Sequence, residues 1–88
     1  MTSLNIITVA GKQTKIGKSL SSYVQDALKE TLKKFFKNFI NSSVLFSKDT
    51  FNFKCEISIH LEGSIFVKAN ALSNDPYGSF NLANEKIK

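Results

Sequence analysis

Gly17 to Phe39 reads GKSLSSYVQDALKETLKKFFKNF, and the spacing of its apolar residues decides how the rest of the chain folds. Leu20, Val24, Ala27, Leu28, Thr31, Leu32, Phe35, Phe36 and Phe39 recur at helical spacing and fall on one wide face. The interior holds no proline or glycine, and Ser19 is placed to cap the start. Lys33, Lys34 and Lys37 sit in the last turns, where cations meet the negative end of the helix dipole. The opposite face carries Ser22, Lys29, Lys33 and Lys37, with Asp26 and Glu30 beside them. One helix thus offers both a core face and a basic outward face.

The strands lie on either side of it. Leu4 to Ala10 (LNIITVA) is rich in β-branched residues and reads as a first strand, with Ile7 and Val9 toward the helix and Ile6 and Thr8 away. Gly11-Lys12 is expected to end it. After the helix, Asn38, Asn41, Ser42 and Ser43 read as a turn, Val44 to Ser47 as a short second strand, and Lys48-Asp49-Thr50 as a hairpin turn. Phe51 to Leu61 is the clearest strand. Phe51, Phe53, Cys55, Ile57, Ile59 and Leu61 alternate with Asn52, Lys54, Glu56, Ser58 and His60, the pattern of a sheet with one face covered and one face wet. Glu62-Gly63 marks a turn into a fourth strand, Ile65 to Leu72, with Ile65, Val67, Ala69 and Ala71 inward. Short connections make strands two to four an antiparallel meander.

Ser73-Asn74-Asp75-Pro76 starts a second helix, with Asp75 as N-cap and Pro76 at the first helical position, where its missing N–H costs nothing. Tyr77, Phe80, Leu82, Ala83 and Ile87 supply its apolar side, and the chain ends at Lys88 inside that helix. The predicted fold is α+β, in the order β-α-β-β-β-α, with both helices packed on one face of a four-stranded sheet. It is a double-stranded-RNA-binding-domain-like layout. Residues 1–88 are expected to form a single domain, with the second helix truncated.

Composition narrows the function. No apolar run approaches the roughly 20 residues that span a bilayer, and Met1 to Ala10 lacks the pattern of a signal peptide, so a cytoplasmic protein without a membrane partner is expected. The single Cys55 and single His60 leave no zinc site. They stand five residues apart on one strand, so their side chains point to opposite faces and cannot act as a nucleophile–base pair. Cys55 reads as core and His60 as a solvated or RNA-facing residue. The four glycines are scattered and make no phosphate loop. Neither enzymatic activity, nor a cofactor, nor a small-molecule substrate is expected.

Twelve lysines against seven acids give a net charge of +5, and nucleic acid is the partner that fits a basic folded surface. Lys29, Lys33 and Lys37 form a stripe about 12 Å long at a rise of about 1.5 Å per residue, able to track a phosphate backbone. A merely solvated helix face would show the same spacing. With both helices on one side of the sheet, Lys86 and Lys88 would enlarge that surface, and Lys12, Lys15, Lys54 and Lys68 would extend it. RNA would then be read by shape and phosphate spacing.

Asp75-Pro76-Tyr77-Gly78-Ser79-Phe80-Asn81, followed by Ala83-Asn84-Glu85-Lys86-Ile87, resembles the D-P-Y-A-S-F-D and A-x-E-[RK]-I patterns of the ribosome hibernation-promoting factor and ribosome-associated inhibitor family, as in its alphaproteobacterial members. Val9-Ala10-Gly11-Lys12 and Ile16-Gly17 resemble the family's V-S-G-K and I-G. The resemblance covers residues 4–88, corresponds to the family's N-terminal domain, and implies the same element order. It implies a non-enzymatic role: binding small-subunit RNA in the channel of messenger and transfer RNA, and blocking translation in stationary phase or starvation. It places Lys12 and Lys86 at basic positions facing ribosomal RNA, and Asp75 and Tyr77 at capping and helix-docking positions. Gly78 stands where the family has Ala, which should weaken the helix by about 0.5–1 kcal/mol, and Asn81 where it has Asp. The family's helix continues into a basic stretch, so much of the RNA affinity, and any dimerisation through a C-terminal domain, is expected beyond Lys88. A general double-stranded RNA-binding module is the alternative. A protein-interaction domain using the wet sheet face around Lys54, Ser58 and His60 is a third.

Overall fold

Cys55, Ile57 and Ile59 are closed to solvent, while Lys54, Glu56, Ser58 and His60, which alternate with them, are only half-buried, so one face of this strand is covered and the other is open. The computed structural model describes residues 6–12, 14–36 and 39–88. Its elements are β1 (Ile6–Lys12), α1 (Lys18–Phe35), β2 (Phe39–Asp49), β3 (Asn52–Leu61), β4 (Ile65–Ser73) and α2 (Pro76–Ile87). The order is the predicted β-α-β-β-β-α.

The sheet runs β1-β2-β3-β4. β2, β3 and β4 form the predicted antiparallel meander, and β1 lies parallel to β2, joined through α1. Both helices cover the same face. Leu20, Val24, Leu28 and Leu32 of α1 and Phe80, Ala83 and Ile87 of α2 share one core with Val44, Phe46, Cys55, Ile57, Ile59 and Ala71 from the sheet. Ile7 and Val9 pack against it, as their positions in the sequence predict. Among the described residues no helix is long and apolar enough to cross a membrane.

The helices are locked to each other by polar contacts between residues far apart in sequence. The buried Thr31 hydroxyl donates to Asn84 Oδ1 at 2.9 Å, with the Ala27 carbonyl as a second acceptor at 3.2 Å. Nearer the surface Tyr23 donates to Asn81 Oδ1 at 2.7 Å, and its ring meets Tyr77 edge-on at 5.1 Å and Phe80 at 6.1 Å. Tyr77 therefore docks helix on helix.

Several boundaries differ from those read in the sequence. α1 stops at Phe35, not Phe39: the Phe36 backbone leaves the helical region and its N–H closes on the Leu32 carbonyl. Its N-cap is Gly17, not Ser19, with no side-chain capping bond. Phe39 opens β2 opposite Leu61, and Asn41, Ser42 and Ser43 are strand, because β1 on one side and β3 on the other pair with them. A ladder on both sides overrides weak intrinsic propensity. β1 continues through Gly11 and Lys12, which pair with Phe46 and Ser47. A side chain at Gly11 would collide with the Thr14 carbonyl and Ile16, so the loop can fold back only over glycine. The β2–β3 turn falls at Thr50-Phe51, which leaves Phe51 84% exposed instead of inward. Phe35, Ile65 and Leu82 are exposed too. Leu4, Asn5, Lys37, Asn38 and the Ile6 side chain lie outside what is described.

α2 begins as predicted. Asp75 Oδ1 accepts the Gly78 N–H at 2.8 Å, with Pro76 in the first turn. Gly78 is not a simple weakness, since a Cβ there would sit 2.6 Å from Ser73 Oγ. Gly78→Ala alone should therefore yield less than the helix-propensity gain of about 0.5–1 kcal/mol, and the full gain should emerge when it is combined with Ser73→Ala. Urea unfolding of the two single variants and the double variant measures this as a coupling.

Candidate nucleic-acid interface

α1 carries four lysines, Lys18, Lys29, Lys33 and Lys34, against two acids, Asp26 and Glu30. All six are exposed. Among the described residues the ion pairs are Lys54–Glu56 and Lys88–Glu85, each at 3.0 Å, so Lys29, Lys33 and Lys34 hold no carboxylate within ion-pair distance. Their ammonium groups remain available to an external anion. Lys33 and Lys34 also lie in the last turn, where the helix dipole favours positive charge.

The sequence candidates separate into groups. Lys29 borders a hollow with Ile7, Gln25 and Asp26, on the flank of α1 that faces β1. Lys34 turns the other way, into a cleft between the helices that it shares with Glu30, Phe35, Asn84 and Lys88. The structure thus brings Lys88 to α1, as the two-helix surface requires, but through Lys34, which the spacing-by-four pattern passed over. Lys86 is not part of that cleft. Its Nζ donates to the Asn70 backbone carbonyl of β4 at 2.9 Å, on the far flank of α2. Lys15 is exposed in the loop before α1, and Lys37 lies outside the described residues. Lys12 alternates with Gly11 at the end of β1 and belongs to the open side of the sheet, away from the helices. Lys54 and Lys68 share that side.

Nothing in the arrangement joins Cys55 to a base. Cys55 faces the core, while His60 lies on the open face with its ring parallel to Phe66, centroids 4.4 Å apart and planes at 6°. Burial, with a smaller contribution from the Glu56 charge, pushes the Cys55 thiol up from 9.0 to about 12. No group of three or more His, Cys, Asp or Glu among the described residues could hold a metal ion.

The family described as sigma 54 modulation protein / S30EA ribosomal protein matches residues 7–88. The chain belongs to that family. It is 30% identical over 77 residues to the ribosome hibernation promotion factor of Bradyrhizobium diazoefficiens, covering 88% of this chain and 38% of that protein. Against the ribosome hibernation promotion factor of Rhizobium meliloti it is 27% identical over 82 residues, covering 93% of this chain and 43% of that protein. The chain thus spans about two fifths of the length of these relatives. Its fold matches the N-terminal domain of Thermus thermophilus protein Y with a TM-score of 0.80 at 20% identity, over 94% of this chain and 90% of that one. A ribosomal subunit interface protein from Coxiella burnetii matches with a TM-score of 0.78 at 19% identity, over 92% and 87%. The family resemblance read from the Asp75–Ile87 segment is confirmed.

The thiol offers a sharp check on the core. In the unfolded chain it ionises near 9.0 and in the folded chain near 12, so folding retains a proton in that window and stability falls as pH rises through it. The stability difference between wild type and Cys55→Ala should shrink from pH 9 to pH 12, as read by urea unfolding at each pH. A thiol reagent should label Cys55 only in denaturant.

Proposed function

We propose that this domain is a ribosome hibernation factor module. It binds small-subunit RNA in the channel of messenger and transfer RNA and, by occupying it, silences translation under stress. The observation that carries this is the unpaired cationic surface of α1, Lys29, Lys33 and Lys34; across the interhelix cleft lies Lys88, which is paired with Glu85. Family membership supports a ribosomal partner, and the exposed lysines of α1 support an electrostatic contact with its RNA. Lys15, exposed in the loop before α1, extends that surface at one end. Lys12 and Lys86, expected to face RNA from the family resemblance, lie on other sides of the domain and would meet a wall of the channel different from the one that α1 meets. Such a partner places the protein's work in the cytoplasm.

Phosphate contact through lysines is electrostatic and displaces counterions, so its signature is salt dependence. Cosedimentation with purified small subunits across a salt series tests the reading. Lys29→Glu/Lys33→Glu/Lys34→Glu should lower affinity at least tenfold, and its salt dependence should flatten by about one unit of slope per lysine lost. Unchanged binding by the triple variant would remove the helix surface from the mechanism. Equal affinity of the wild type for an arbitrary RNA duplex would favour a general double-stranded RNA-binding module.

A further inference from the structure

Among the described residues, no layer covers the face of the sheet opposite the helices. Its residues follow from the register: Asn41, His60 and Phe66 stand in one row, Ser43, Ser58 and Lys68 in the next, and Lys12, Ser47, Lys54 and Leu72 in the last. Phe66, near the start of the edge strand β4, is 58% exposed, and the His60 ring lies flat against it at 4.4 Å and 6°. His60 therefore supports one face of the phenyl ring and leaves the other, toward the sheet margin, open. Beside this pair a shallow hollow lined by Glu56, Ser58, Lys68 and Asn70 runs along the same two strands. Glu56, the acid among them, is held by Lys54 at 3.0 Å, so Lys12 and Lys68 leave the face net positive.

We propose that this open face is a second RNA surface, on which an unpaired nucleobase stacks on Phe66 and its phosphate meets Lys68. An aromatic platform is the device by which a protein holds single-stranded bases, since every base has a π-face and stacking needs no particular sequence. Lys68 lies two residues along the same face, about 7 Å from Phe66 at strand rise, which is within lysine reach of the stacked nucleotide's backbone. Ser58 and Asn70 offer small hydrogen-bonding groups in the adjoining hollow, sized for a base edge or a ribose hydroxyl. Charge selects the occupant: Lys12, Lys54 and Lys68 outnumber Glu56 and Asp49 on this face, which suits a polyanion. The surface is independent of the α1 lysines and lies on the other side of the molecule.

The chain has no tryptophan, so Phe66→Trp places a single emitter at the proposed contact. Its emission should be quenched saturably by an unstructured single-stranded heptaribonucleotide and left unchanged by inorganic polyphosphate. Phe66→Ala, placed in a Lys29→Glu/Lys33→Glu background to silence the helix side, should weaken binding of the fluorescein-labelled heptamer at least fivefold, the lower range of one lost base stack. The Phe66→Trp signal should persist in that background, which separates this proposal from the helix reading. Circular dichroism checks that each variant is folded. Emission indifferent to saturating heptamer, equal quenching by polyphosphate, or undiminished binding by Phe66→Ala would overturn the proposal. An acidic peptide that quenches where the heptamer does not would overturn it too, and would give the face to a protein partner.

Discussion

Burying the stripe Leu20, Val24, Leu28 and Leu32 is the constraint to which every other element answers. Each such side chain contributes about 1.5–3 kcal/mol when fully removed from water, and a chain this short has little stability to spare. The stripe can be covered only by the inward row of the strands, Val44, Phe46, Cys55, Ile57 and Ile59. That row also receives Phe80, Ala83 and Ile87, which forces both helices to the same side. Thr31 and Asn84 then fix how the helices slide against each other, because a buried amide that loses its partner costs about 1–3 kcal/mol. The polar pair sets the register that the apolar residues leave free.

A two-layer domain of this kind presents two unlike surfaces. The helix side shows exposed lysines, suited to phosphates spaced along a groove. The sheet side carries rings, hydroxyls and amides, suited to exposed bases. Since the layers share one core, a ligand on either side would find the other already ordered, with no folding step needed to assemble it.

Much of this was legible in the sequence, and the remainder has definite causes. Alternation through Cys55, Ile57 and Ile59, the part of the α1 stripe from Leu20 to Leu32, and Asp75-Pro76 are local signals that the structure bears out. The extent of β2 was not readable, because Asn41, Ser42 and Ser43 become strand only through partners on both sides. The Thr31–Asn84 bond joins residues 53 apart, a distance no periodicity reports. Lys34 was passed over because a stripe spaced by four follows a single line along the helix, whereas the cleft lies beside that line. The His60–Phe66 stack was within reach. A loop of Glu62, Gly63 and Ser64 with positive φ at its last two residues sets Leu61 opposite Ile65, and His60 opposite Phe66 follows.

β4 forms one margin of the sheet, and Asn70 turns its carbonyl outward there, where Lys86 takes it. A margin with free peptide groups is a template on which another chain can lay a strand, the first step toward aggregation. Lys86 occupies one rung of that template, and Lys68 adds a like charge that an approaching copy of the same edge would have to desolvate. The lysine that departs from the helix surface thus covers one rung of the sheet edge, and acylating its amine would uncover it.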